Sequence, residues 1–496
     1  MRGLPRTAPW RLAGGLTSFL IPAAVYVASA SHEPGAWDTA ELQGVPYILG
    51  ITHPTGFPLY VILGYAWSHV LPFDTIAFRM NAMSAVAMAI AAWAAYAVAR
   101  RLGAWWPVAL LATFWFAFAP DVWSHANRAE AQDLAVTCEA LAIYAFVRWM
   151  QGDDAKWFAA AGFLLGCGVA AHPNAMWLAP GFVVGCLVAR RRPTMRQAAF
   201  GAMLALGGLL WYAYLPLRSA YVVAHGLDPT AALSGTAGGI FWNYNDPSTP
   251  QGLLRALSGS ESEAPHYLLA SLNPVHVQQA FWAFVTGVQE QFGAFAVALA
   301  AIGLGTAWKR DWRTTLVLCL ACTAGLAFSV TYSNEADVGR YRLMALWLVV
   351  PLLGAVLPGA PNGIRGAALR GILCLFAAGA AGASLYGQRN FFVHSAGEGG
   401  RWVIEAVRPV VPTGAVIVVD GWLDATSLAY GAYADRTLAG RTIVSGWRPE
   451  MAGMYRAWAR ERPVFILTDP HAVTGIAGTA APVPLDAYHV LFRVLP

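Results

Sequence analysis

Charged residues are scarce in this sequence. Only 12% of its 496 residues are Asp, Glu, Lys or Arg, whereas a soluble globular domain carries about 25%. Apolar residues make up 57% of the chain, and its mean hydropathy is +0.49. These values exclude an ordinary soluble enzyme and predict a protein that lies largely in a membrane.

Cysteine is also scarce, and no nucleotide-binding motif is present. The six cysteines all fall in apolar runs, where a free thiol behaves as a small hydrophobic side chain. We therefore predict no disulfide framework and no zinc site, and we interpret Cys319-x-x-Cys322 as packing. No G-x-G-x-x-G motif follows a strand, and a net charge of +5 does not indicate a nucleic-acid partner.

The dominant feature is a series of apolar runs close to the roughly 20 residues that a spanning helix needs. They occupy residues 13–30, 80–99, 104–119, 131–149, 157–171, 174–189, 197–216, 283–307, 314–331, 341–357 and 366–386. We predict an α-helical polytopic membrane protein of about 11 spans, with the first run kept as an anchor. The apolar stretch 57–71, interrupted by Pro58 and Gly64, is interpreted as an interfacial or re-entrant helix.

The placement of arginines predicts the orientation, because cytoplasmic loops carry an excess of Lys and Arg. Clusters such as Arg100-Arg101 and Arg190-Arg191-Arg192 fall in every second loop. This pattern predicts a membrane domain over residues 1–387, whose loops 31–79 and 217–281 are exterior. Residues 388–496 alternate short strands and helices, which predicts a small α/β domain on the same exterior side. We expect a bacterial inner membrane, with the active site facing the periplasm.

Two carboxylates in the first exterior loop are candidate catalytic groups. Asp38 and Glu41 are three residues apart, so a helical turn would place both on one face, where one could act as a general base. The alternative is a pair of loop acids at the start of a helix. His53 follows in the rigid turn His53-Pro54-Thr55-Gly56-Phe57-Pro58, which either contributes to the site or only breaks the chain.

Arginines on the same predicted side suggest an anionic ligand. Arg218 ends one apolar run and Arg340 precedes another, and a guanidinium group matches phosphate oxygens bidentately. Each could instead anchor its helix at the interface. Other candidate binding residues on this side are Glu130, His172, Asp337 and Tyr341. Glu139, inside an apolar run, is left open between a buried site acid and a contact between helices.

The first loop resembles the signature of a family of GT-C membrane glycosyltransferases. The matching segments are Asp38-Thr39-Ala40-Glu41-Leu42 and Thr52-His53-Pro54-Thr55-Gly56-Phe57-Pro58-Leu59-Tyr60. The similarity continues through Arg79-x-Asn81, Ala129-Glu130, the His172 region, Tyr214-Leu215-Pro216-Leu217-Arg218 and Trp242-Asn243-x-x-Asp246-Pro247. The family was formerly catalogued as a domain of unknown function and includes an animal endoplasmic-reticulum protein O-mannosyltransferase. Ala131-Gln132 stands where the family has Val-Tyr.

The resemblance implies transfer of a sugar from a polyprenyl-phosphate donor to an acceptor hydroxyl with inversion, with an acidic residue of the first exterior loop essential. We expect Asp38 to be the base, Glu41 and His53 to orient it, and Arg218 and Arg340 to hold the phosphate. The acceptor, protein or glycan, is left open, as is the need for a divalent metal. The alternatives are a transporter or flippase of lipid-linked sugars, a structural protein of the envelope, or a transferase that acts on glycans or lipids.

Overall fold

The computed structural model of the protein describes residues 9–234, 238–259, 264–332, 335–356, 363–390, 399–469, 482–486 and 489–496. Its N-terminal part is helical. The helices are α1 (Pro9–Ser29), α2 (Trp37–Ile48), α3 (Pro58–Val70), α4 (Ile76–Arg101), α5 (Trp106–Ala117), α6 (Pro120–Ala126), α7 (Ala131–Met150), α8 (Lys156–Ala171), α9 (Leu178–Val188), α10 (Met195–Leu209), α11 (Tyr214–Ala224), α12 (Pro250–Ser258), α13 (Ala264–Ala270), α14 (Pro274–Phe292), α15 (Ala294–Thr323), α16 (Leu326–Thr331), α17 (Leu343–Ala355) and α18 (Gly363–Gly387).

The protein is an integral membrane protein. Four described helical segments are long and apolar enough to cross a bilayer, and α5 with α6, bent by 70°, would make a fifth. The segment 195–224 and helix α18 expose most of their apolar windows, as helices that face lipid do. The count of 11 spans stays a prediction. Within the predicted run 283–307 the chain breaks at Gly293, whose φ of +83° separates α14 from α15.

Two helices connect opposite ends of the membrane domain. At 1.5 Å per residue, α7 is about 30 Å long and α4 about 39 Å, so both are long enough to cross a bilayer's hydrocarbon core of about 30 Å. Helix α7 begins beside Glu130, and both helices end at residues that line an arginine-rich cavity. Two separate polar regions therefore lie about one membrane thickness apart.

The arginine-rich cavity brings together loops that are far apart in sequence. It has a volume of about 1050 Å³ and is lined by six arginines, Arg101, Arg190, Arg191, Arg192, Arg310 and Arg313. Three aspartates line it as well, and Asp153 among them bridges Arg101 and Arg148. The clusters predicted to be cytoplasmic thus converge at one end of the molecule, while the side that this end faces stays a prediction.

The C-terminal part contains a small mixed sheet flanked by helices, as predicted. Its elements are α19 (Arg401–Val407), β1 (Val416–Val419), α20 (Trp422–Ala429), β2 (Thr442–Ser445), α21 (Ala452–Ala459), β3 (Val464–Thr468), β4 (Val483–Pro484) and β5 (Val490–Arg493). The strand order is β2-β1-β3-β5-β4. Strand β1 pairs in parallel with β2 and β3, whereas β5 is antiparallel to β3 and β4.

This C-terminal domain packs directly on the first loop and α2. Arg401 forms an ion pair with Glu33, and the Tyr430 hydroxyl accepts a hydrogen bond from the Ala77 backbone N–H at 3.1 Å. Gly44 in α2 permits the close approach, because a Cβ atom there would lie 2.4 Å from the Phe241 ring and 3.2 Å from the Tyr430 ring. The carboxyl end of β1 is thereby brought to the start of α2.

Candidate active site

Helix α2 supplies the acid pair. Asp38 lies in its first turn and Glu41 one turn later. A carboxylate in the first turn is favoured by the partial positive charge of the helix N-terminus. Glu41 is fully buried, whereas the Asp38 side chain keeps 25% of its surface exposed. Both carboxylates face His53, so the helical turn does bring the two acids to one place.

Glu41 holds His53 at two points. It accepts a hydrogen bond from the His53 backbone N–H at 2.9 Å, and a second, short contact joins it to Nδ1 of the ring. The other ring nitrogen, Nε2, lies 4.0 Å from Asp38 Oδ2. Burial lowers the pKa of His53, but Glu41 and Asp38 raise it more strongly, to about 9. The imidazole is therefore cationic at neutral pH.

Asp38 is surrounded by donors. Arg340 Nη1 donates to Oδ2 at 3.3 Å, and the indole N–H of Trp422 donates to Oδ1 at 3.0 Å. Burial raises the pKa of Asp38, but the charges of His53 and Arg340 and these hydrogen bonds bring it below its ordinary value. Asp38 is thus ionised at neutral pH and fixed at both oxygens.

Arg340 lies between two carboxylates. Its Nη1 is 3.3 Å from Asp38 and 3.7 Å from Glu130, and its side chain is only 10% exposed. The relative positions of these groups are fixed by Asn81, whose Oδ1 accepts hydrogen bonds from Gln43 in α2 and from the Ala129 backbone N–H. Asn81 therefore ties α2 to the start of α7, where Glu130 lies.

A cavity of about 470 Å³ opens beside Asp38. Its lining combines polar side chains, Asp38, His53, His172 and Arg340, with aromatic and apolar ones, Trp177, Leu257, Leu268, Phe328 and Tyr332. Met176 and Leu268 of this lining are exposed. Such a cavity suits a ligand with a polar head and an apolar tail.

His172 and Tyr341 form part of the wall. The His172 ring stacks on Phe57, with centroids 5.3 Å apart, and Tyr341 lies edge-on at 6.1 Å. Nδ1 of His172 accepts a hydrogen bond from the Asn174 backbone N–H, so Nε2 carries the proton. Burial, with Arg340 and His53 nearby, lowers the pKa of His172 to about 3. It is a neutral hydrogen-bond donor.

Arg218 is not brought to this cavity. Arg218 donates from Nε to the carbonyl of Leu49 and from Nη2 to that of Ile48, so it satisfies carbonyls at the C-terminal end of α2. It is absent from the lining of the cavity, so the structure does not place it beside Asp38. The side chain of Asp337 lies outside the described part of the structure.

Trp422 is a residue of the site that the sequence analysis missed. It follows the carboxyl end of β1, the end at which ligand-binding groups of parallel sheets gather, and this was the available signal.

Glu139 of α7, left open above, is buried, and neither of its carboxylate oxygens has a hydrogen-bond partner among the described residues. Among those residues, no group of three His, Cys, Asp or Glu side chains is arranged to hold a metal ion.

Comparison with known families identifies the segment that carries the acid pair. Residues 38–195 match the family model described as the protein O-mannosyl-transferase TMEM260 N-terminal domain. The resemblance expected from the first loop is therefore confirmed. Protein O-mannosyl-transferase TMEM260 of Mus musculus is 25% identical over 373 residues, which are 71% of this chain and 50% of the mouse protein. The Dictyostelium discoideum protein of the same name is 33% identical over 96 residues, covering 19% of this chain and 12% of its own length.

Solved structures match the whole chain. ArnT from Cupriavidus metallidurans aligns over 98% of both chains in its apo state, with a TM-score of 0.60 at 13% identity. The undecaprenyl phosphate-bound form of ArnT gives 0.62 at 12% identity and the same coverage. The predicted GT-C-like helical fold with a small C-terminal sheet is thus confirmed. The chain spans about half the length of the mouse relative, and at this identity the likeness to ArnT concerns the fold.

Proposed function

We propose that the protein is a membrane glycosyltransferase that moves a hexose, mannose in our proposal, from a polyprenyl-phosphate donor to the hydroxyl of an acceptor. The observation that carries the proposal is the Asp38 carboxylate, held by Arg340 and Trp422 in the wall of a cavity whose lining also includes aromatic and apolar side chains. The names of the relatives support mannose and a protein Ser/Thr acceptor. The ligand named for the ArnT structure supports the polyprenyl phosphate.

In the proposed reaction, Asp38 is the general base. The acceptor oxygen attacks the anomeric carbon and passes its proton to Asp38, while the bond from that carbon to the phosphate oxygen breaks. The phosphate leaves with the electron pair, so negative charge develops on it. Positive groups that already face that position stabilise this charge without reorganising.

Arg340 and His172 suit the phosphate in different ways. Arg340 is a permanent cation with a planar fork of donors, whereas neutral His172 offers an N–H from Nε2. Asn174 adds a buried Oδ1 with no hydrogen-bond partner among the described residues, which suits a sugar hydroxyl of the donor. Tyr341 lines the cavity beside Arg340, and Glu130, which is outside the lining, lies 3.7 Å from Arg340 Nη1. Arg218 has no part in this proposal.

The domain boundaries and the side of the membrane belong to the proposal as well. We propose a membrane domain over residues 1–387 and an α/β domain over 388–496, both contributing to a site on the exterior face. The placement of arginines supports this orientation. The curated relatives come from an animal and from Dictyostelium discoideum, so they do not support the expected bacterial inner membrane.

The test is transfer by the purified protein. Polyprenyl-phosphate mannose and a Ser/Thr-containing peptide are supplied, and mass spectrometry follows addition of one hexose to the peptide. Because a general base contributes about 10²- to 10⁴-fold, Asp38→Asn should reduce turnover by that factor and leave donor binding intact. Movement of the lipid-linked sugar across a vesicle membrane without transfer would instead favour the flippase alternative. Near-normal turnover by Asp38→Asn would remove Asp38 from the mechanism.

A further inference from the structure

The indole of Trp422 is packed into the candidate active site from the C-terminal domain. Its N–H donates to Asp38 Oδ1 at 3.0 Å. The ring meets His53 edge-on, with centroids 6.0 Å apart and planes at 87°, and Tyr244 at 5.9 Å and 79°. Contacts with two other rings fix the direction of the N–H, so the hydrogen bond is preorganised.

Contacts between distant parts of the chain hold Trp422 in this place. Trp422 begins α20, directly after the turn that follows β1. Later in the same helix, the Ser427 hydroxyl donates to the backbone carbonyl of Gly35 at 3.3 Å, three residues before Asp38. Asp38 and Trp422 are separated by 384 positions, yet both are anchored to the same short stretch of the first loop.

We propose that Trp422 is a positioning residue for the Asp38 carboxylate, so that the C-terminal domain completes the active site. The inference rests on the proposed function of Asp38. Trp422 engages Oδ1 while Arg340 engages Oδ2, and two donors on different oxygens set the plane of the carboxylate. An indole N–H only donates, so it favours the ionised form that must accept the proton and takes no part in the proton transfer itself.

The experiment is Trp422→Phe in the full-length protein, with transfer to the peptide measured across pH. Phenylalanine keeps a ring between His53 and Tyr244 but has no N–H. Because a donor to a carboxylate stabilises its charged form, removing it raises the pKa of Asp38. We expect the acid limb of the pH profile of kcat/KM to shift to higher pH by about one unit. At pH values on the acid side of this limb kcat/KM should fall about tenfold, and on the plateau it should change little.

Trp458→Phe is the matched control. Trp458 is a buried tryptophan of the same domain whose N–H donates to Ser234 at 3.3 Å, away from Asp38. Trp458→Phe should lower the thermal unfolding midpoint as much as any general destabilisation by Trp422→Phe does. It should not shift the acid limb of the pH profile. A Trp422→Phe enzyme with an unshifted acid limb, or one that loses activity equally at every pH, would overturn the positioning role. If Asp38→Asn is inactive in the same assay, that outcome leaves the proposed function standing.

Discussion

The two polar ends of the membrane domain use arginine in opposite ways. At the Asp38 end, Arg340 is 10% exposed and lies within 4 Å of two carboxylates. At the other end, six arginines line an open cavity of about 1050 Å³, and Arg190 and Arg191 are exposed. The comparison teaches that the same side chain can be fixed by surrounding carboxylates at one end and accumulate as a surplus of positive charge at the other, and a surplus of this kind is what predicts the cytoplasmic side.

The two ends also differ in how their charges are balanced. Around Asp38, acids and bases alternate through direct contacts from Glu41 to His53, Asp38, Arg340 and Glu130. At the other end, arginines outnumber aspartates in the lining by six to three. The strength of the contacts within a buried network depends on the geometry of its members. The surplus of positive charge at the other end depends only on how many arginines are present. The predictions below test this distinction, from the largest expected effect to the smallest.

The largest effect concerns which end faces outward. In a background in which the six cysteines are replaced by serine, one cysteine is introduced at exposed Glu405 of the C-terminal domain or at exposed Arg191. A membrane-impermeant maleimide is applied to sealed vesicles of known orientation with the exterior face outward. We expect labelling at position 405, and protection at position 191 until detergent is added. The reverse pattern would contradict the proposed orientation.

Arg340→Lys separates a positioned arginine from an orientation signal. Lysine keeps the charge but loses the planar fork of donors with which Arg340 would bind two phosphate oxygens of the donor at once. Hydrogen bonds to charged groups contribute about 1.5 to 3 kcal/mol, so we expect kcat/KM for the donor to fall by about 10- to 100-fold. Arg191→Lys is the control and should stay within about twofold of wild type. Equal donor kinetics for wild type and Arg340→Lys would return Arg340 to the role of an interfacial anchor.

Glu41→Gln tests the charge on His53. The raised pKa of His53, about 9, keeps the ring cationic near the departing phosphate, so we expect activity to fall as the pH rises through about 9. Since the folded-state pKa lies above the ordinary 6.5, the stabilisation from this pair is complete below pH 6.5 and is lost as the pH rises through about 9.

Removing the Glu41 charge should lower the pKa of His53 by about one to three units and shift the alkaline limb of the pH profile down accordingly. Exposed Glu461 provides the control, because Glu461→Gln should leave that limb in place. An alkaline limb that is unchanged in Glu41→Gln would show that His53 does not set it.

The sequence was sufficient for features that depend on local pattern. The short apolar runs at 415–419, 442–444 and 464–467 predict strands from sequence alone, and the strands are present as β1, β2 and β3. The helix over the stretch 57–71 is present as α3. The acid pair was found because three-residue spacing on a helix has a direct geometric meaning.

Contacts between residues that are far apart in sequence were not predictable. Trp422 reaches Asp38 across 384 positions, and no spacing rule connects a strand end to a loop so far away. Arg218 at the end of an apolar run is compatible with a phosphate contact, an anchor or a bond to the backbone. Only the proximity of the Ile48 and Leu49 carbonyls distinguishes the three. The break at Gly293 lies inside the predicted run 283–307, just after the polar residues Gln289, Glu290 and Gln291, which the span prediction passed over.

Arg218→Lys carries the smallest expected effect on activity and tests the reassigned residue. The guanidinium group serves the carbonyls of both Ile48 and Leu49, and a lysine ammonium cannot reproduce that two-point contact. We expect the free energy of unfolding to fall by about 1.5 kcal/mol, seen as a lower thermal midpoint, because α2 loses partners for its last carbonyls. Donor KM and kcat should stay within about twofold, since α2 still carries Asp38 and Glu41 from its opposite end. Arg255→Lys, at an exposed position of α12, should change neither quantity. A large rise in donor KM with an unchanged midpoint would instead restore Arg218 to the phosphate site and require the cavity beside Asp38 to extend to the far end of α2.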